Sequence, residues 1–90
     1  MSRRAGKPLS WAMKNALGLL KQPQRYLCQD SKSGSWSVSA PQNRPTYVDW
    51  KVAELLVEER AVEPTAHVDR RWFKISERGR QAEKDSTWPL

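Results

Sequence analysis

The strongest constraint on this 90-residue chain is a change of hydrophobic period in its second half. Val48, Val52, Leu55 and Leu56 recur at helical spacing, with Ala61 and Val62 extending the stripe. Tyr47, Lys51, Glu54 and Glu58 fall on the opposite side. The spacing predicts a helix from Thr46 to about Arg60, with Pro45 in its first turn. Further on, Arg71-Trp72-Phe73-Lys74-Ile75 alternates, placing Phe73 and Ile75 on one face of a strand and Trp72 and Lys74 on the other. Residues 61–65 also have strand character, and Pro64 assigns them to a sheet edge. Ala66 to Arg70 reads as the turn between the two. A helix that feeds directly into an antiparallel ribbon buries its apolar stripe beneath that ribbon.

The first half is organised differently. Ser10 offers an N-cap oxygen to a helix predicted over residues 10–21. Its stripe is Leu9, Met13, Ala16, Leu17 and Leu20, widened by Ala12 and Leu19, with Lys14, Asn15 and Lys21 on the polar side. Gly18 weakens that helix and Pro23 stops it. Between residues 22 and 45 the pattern is ambiguous: Tyr26-Leu27-Cys28 suits a half-turn of helix or a strand. Ser31 to Gly34 reads as a turn, Trp36 to Ser39 as a half-buried strand, and Pro41 to Pro45 as a loop. Ser76 caps a last helix predicted over residues 77–84. Residues 1–8 are expected to form a flexible basic arm, 9–84 one domain, and 85–90 a frayed tail.

Charge narrows the partners. The net charge is +6, and residues 1–45 carry eight Lys or Arg against the single carboxylate of Asp30. Residues 46–90 carry eight against nine. A basic excess concentrated in one half suits a polyanion. Cys28 is the only cysteine and reads as a reduced, half-buried small hydrophobe; His67 is the only histidine and reads as a surface-loop residue. No stretch approaches the length of a membrane span, and no apolar segment of signal type follows Arg3-Arg4, so a cytoplasmic protein is expected. There is no Gly-rich phosphate loop, no Gly-x-Ser-x-Gly, no metal-ligand spacing and no Cys–His pair with a third member. The expectation is a protein that is not an enzyme and takes no metal or cofactor.

At this point the chain resembles a known grammar. Thr46 to Glu63 is similar to the recognition helix and first wing strand of winged-helix regulators of the MarR type. Asp69 to Arg80, with Ser76, Gly79 and Arg80 at the start of the closing helix, resembles the matching wing tip, second strand and final helix. Two departures are visible: Ala61 stands at the usual corner glycine, and the segment before Thr46 is not an ordinary second helix. The long flanking helices used for dimerisation are also absent. The resemblance covers about residues 46–82. It implies an α+β winged-helix domain, a three-helix core with a two- or three-stranded antiparallel β-wing, of the kind used by bacterial or phage regulators of transcription.

What it implies functionally is binding of double-stranded DNA, sequence-specific or general. Arg44, Tyr47 and Lys51 stand at i, i+3 and i+7 and would share one face of the predicted helix. Arg44 or Lys51 would meet a guanine edge and Tyr47 a phosphate or sugar, at a helix end whose dipole favours phosphate. His67, Arg70, Arg71 and Lys74 would form a basic wing, and Arg3 and Arg4 an arm that tracks a groove. Glu54 and Glu58 continue the same helix face and confine such contact to its first two turns. Two alternatives stay open. One is a protein-interaction module, or a homodimer, using that acidic helix side and Trp50 or Trp72. The other is an RNA- or single-strand-binding protein using its basic residues and tryptophans.

Overall fold

The computed structural model describes residues 4–40, 43–65 and 72–90. Among them the order is α1 (Trp11–Leu20), β1 (Tyr26–Gln29), β2 (Trp36–Ala40), β3 (Asn43–Val48), α2 (Trp50–Glu58), β4 (Val62–Pro64), β5 (Trp72–Ile75) and α3 (Glu77–Asp85). The strands form one antiparallel sheet in the order β3-β2-β1-β5-β4. The fold is α+β, with three helices and a five-stranded sheet among the described residues.

Each helix begins where the sequence supplies a short polar side chain. Ser10 accepts from the Met13 N–H at 3.2 Å, Asp49 from Lys51 N–H at 3.0 Å, and Ser76 from Gly79 N–H at 3.1 Å. The Asp49 cap corrects one expectation. The helix does not start at Thr46 but at Trp50, and residues 43–48, read above as loop and first turn, form β3. The reason is pairing: Val48, Tyr47 and Thr46 lie opposite Trp36, Ser37 and Val38, and β-branched residues suit that ladder. Pro45 is tolerated because β3 is an edge strand. The ambiguous Tyr26–Cys28 patch is strand β1, and the sheet exceeds the two or three strands expected.

α2 ends in a left-handed turn. Ala61 N–H donates to Leu56 O at 2.9 Å and Arg60 N–H to Val57 O at 3.1 Å, with Arg60 at φ 58°. This is the Schellman pattern, normally completed by glycine. Arg60 takes the positive φ, one residue before Ala61, the position at which the resemblance would place a glycine. Gly79, in the first turn of α3, is needed for another reason, since its backbone lies directly on Ala61.

The core sits between the helices and one face of the sheet. Leu17 and Leu20 of α1, Leu27, Val38 and Ile75 of the sheet, and Leu56 of α2 are buried together. Trp36 fills this core as expected and lies 5.9 Å from the Phe73 ring. Trp88 belongs to it too, at 2% exposure. Of the expected flexible arm and frayed tail, residues 4–8 and 86–89 are held in place, while residues 1–3 lie outside the described residues. Gly6 N–H donates to Trp88 O and Trp88 N–H to Lys7 O, each at 2.8 Å, Leu9 N–H donates to Ser86 O at 2.9 Å, and Pro8 bridges Thr87. Burial of one large aromatic holds the tail, and the tail holds residues 4–9. Arg78 locks the same corner: its Nε donates to Glu59 O at 2.9 Å, Nη1 to Pro89 O at 3.3 Å, and Nη2 lies 3.4 Å from the buried Glu59 carboxylate.

Candidate functional site

Strand directions decide which basic residues can act together. β1 ends at Gln29, opposite the start of β2 at Trp36, which lies opposite the end of β3 at Val48. Cys28 pairs with Trp72, so the start of β5 is at that same end, and Thr65 N–H donates to Trp72 O at 2.9 Å. One end of the sheet therefore gathers the Asp30–Ser35 loop with exposed Lys32, the first turn of α2 with Trp50 and Lys51, and the attachment points of the β4–β5 connection. His67, Arg70 and Arg71 belong to that connection but lie outside the described residues, as does Arg3.

The expected helix face of Arg44, Tyr47 and Lys51 does not exist. Arg44 and Tyr47 are on β3, and four residues of strand put Arg44 about 13 Å from Val48, towards the other end of the sheet. Lys51 alone of the three is on α2, where its Nζ lies 5.7 Å from the Trp50 ring centroid. Asp49 accepts from the Lys51 amide and so takes up one of the N–H groups at the helix start. Beyond Lys51, Glu54 and Glu58 are exposed, which limits any contact with a polyanion to the first turn. Lys74 points away from the helices on β5 and lies 3.7 Å from Glu63 on β4; both are more than half exposed, so the pair contributes little. Arg4 is exposed, within the segment held beside the C-terminal residues.

Beside the first turn of α2 an open groove is lined by Gly34, Ser35, Trp36, Tyr47 and Trp50. Trp50 is 57% exposed and Tyr47 77%. Neither Lys32 nor Trp50 is marked by the helical spacing of the basic residues. The signal that finds Trp50 is its position directly after a capping aspartate. Among the described residues no helix is long and apolar enough to cross a membrane, and no three His, Cys, Asp or Glu side chains cluster as metal ligands would. Cys28 is half-buried, with its Sγ 3.5 Å from Ser39 Oγ. Compared with protein-family models, with curated proteins and with solved structures, the chain has no significant match.

Proposed function

We propose that this protein is a small winged-helix DNA-binding protein of the transcription-regulator kind, gripping duplex DNA at the end of the sheet where α2 begins. The observation that carries the reading is the convergence of Lys32, Lys51 and the roots of the β4–β5 connection at that end. The connection brings His67, Arg70 and Arg71 in sequence, so cations come from three separate segments. Cations spread over several segments neutralise several phosphates at once and release their counterions. The winged-helix reading is supported by α2 leading into the β4–β5 ribbon and then α3, with β5 between β1 and β4. Affinity then comes from phosphate contacts, and Lys51 is the residue able to reach a base edge. Titration of a fluorescent duplex by anisotropy tests this. Binding is expected at low salt, falling steeply as salt rises and lost in the Arg70→Ala/Arg71→Ala variant. A protein that binds no duplex at low salt refutes it.

A second reading, a protein-interaction module, is favoured by the exposed Glu54 and Glu58 beside Trp50, and by Trp72 at 37% exposure. It predicts no duplex binding and loss of partner capture in Trp50→Ala.

A further inference from the structure

The helices cover one face of the sheet, and the opposite face has a definite relief. The register aligns Trp72, Cys28, Ser37 and Tyr47 in a single row across β5, β1, β2 and β3. Leu27, Val38 and Phe73 alternate with these residues and face the core, so the row faces away from the helices. Three strand spacings set Trp72 and Tyr47 about 14 Å apart, with two small side chains between them. In the neighbouring row Tyr26 pairs with Ser39, and the Tyr26 ring lies 5.5 Å from that of Trp72. The result is a trough with small polar residues on its floor, a Tyr26–Trp72 wall on one side and Tyr47 on the other.

We propose that this trough binds single-stranded nucleic acid, stacking unpaired bases on Tyr47 and Trp72. Aromatic rings offer π-faces that any base can use. The charges around the trough fit a phosphate chain. Residues 26–48 contain one carboxylate, Asp30, and its Oδ1 accepts from Lys32 N–H at 2.7 Å and Ser33 N–H at 3.2 Å. Lys32 stands at the end where β1 meets β2, and Lys74, two residues after Trp72, lies on the outer face of β5 with Glu63 of β4 beside it. A strand laid along β1 and β2 therefore meets Lys32 at one end and aromatic rings at both sides, with Lys74 beside the Trp72 wall. A dry protein interface would call for an apolar floor, and Ser37 and Ser39 supply hydroxyls instead. The trough adjoins the duplex site and shares Lys32 with it, but it lies on the outer sheet face away from Lys51, and its ligand is a different form of nucleic acid.

The test is anisotropy titration of the full chain with a labelled oligothymidine and, separately, a blunt duplex. The variants are Tyr47→Ala, Tyr47→Phe, Trp72→Ala and Lys51→Ala. Tyr47 is 77% exposed, so its replacement leaves the fold intact. Tyr47→Ala is expected to weaken oligothymidine binding about fivefold or more, while Tyr47→Phe stays within about twofold. Duplex binding is weakened by Lys51→Ala, which leaves oligothymidine binding within about twofold. The proposal is overturned if oligothymidine does not bind, or binds equally well to Tyr47→Ala and Trp72→Ala. It is also overturned if sedimentation shows a dimer that Tyr47→Ala dissociates, since the trough is then filled by a second copy. Loss of duplex binding alone refutes the sheet-end site and leaves this one standing.

Discussion

Gly79 and Ala61 are in backbone contact: a Cβ at position 79 would overlap the Ala61 carbonyl oxygen and approach Ile75 Cγ1 at 2.9 Å. That carbonyl also accepts from Ser76 N–H at 2.9 Å, so it cannot turn aside without losing a bond. Gly79→Ala is therefore expected to cost about 3 kcal/mol or more, because α3 must lift away from the end of α2. Urea unfolding followed by far-ultraviolet circular dichroism measures this. A loss below about 1 kcal/mol contradicts the close approach.

Arg60 predicts the opposite sign. Its left-handed backbone costs about 1–2 kcal/mol for a residue with a Cβ, partly offset by the entropy a glycine loses on folding. Arg60→Gly should raise stability by about 0.5–1 kcal/mol, seen as a higher urea midpoint with an unchanged slope. Arg60→Ala, which keeps the Cβ, should bring no such gain.

Arg78 reaches two backbone carbonyls and one buried carboxylate with its three nitrogens. Removing it leaves Glu59 buried without this cation. Arg78→Ala should cost about 2 kcal/mol, below the value for a fully buried pair because Arg78 is a quarter exposed. Arg78→Lys should recover only part of this, since one ammonium cannot replace a planar fork. Thermal melts of the three proteins at one pH decide it.

Two tryptophans should behave in opposite ways. Trp88→Ala removes a core side chain and is expected to cost about 3–5 kcal/mol. Trp11, 81% exposed at the start of α1, should tolerate alanine within about 0.5 kcal/mol. The same unfolding experiment tests both, and equal effects would contradict the burial of Trp88.

If duplex DNA is held at the sheet end, the salt slope reports on α2 directly. Lys51→Ala should lower the slope of log K against log salt by up to about 1, since it removes one cation from the interface, and should flatten any preference for one duplex sequence over another. Glu54→Lys should raise affinity, by placing a cation one turn further along the same helix. A slope unchanged in both variants removes α2 from the interface.

The helix α1 was legible because a cap, a stripe and a breaker agreed there, and α3 was legible from the Ser76 cap that follows the ribbon. The ribbon was legible from its period of two. β3 was hidden for a physical reason: Pro45, Thr46 and Val48 also fit the first turns of the following helix, and only pairing with Trp36 and Val38 decides for strand. The spacing of Arg44, Tyr47 and Lys51 is meaningful on a helix alone, and with α2 starting after Asp49 the three share no face. Trp88 was illegible because a lone aromatic after Asp85-Ser86-Thr87 has no period to reveal a buried face. The aromatic row of the outer face depends on register between strands far apart in sequence, which no local pattern encodes.

The position of β5 has a consequence for synthesis. It is the last strand in sequence, yet it joins the β1–β3 meander to β4. A nascent chain ending before Trp72 holds the β1–β3 meander and a β4 segment with no neighbour, and its core lacks Ile75, Ala82 and Trp88. Folding on the ribosome must therefore wait until nearly all of these residues have left the exit tunnel. Until then the β1 edge that β5 covers has no partner strand.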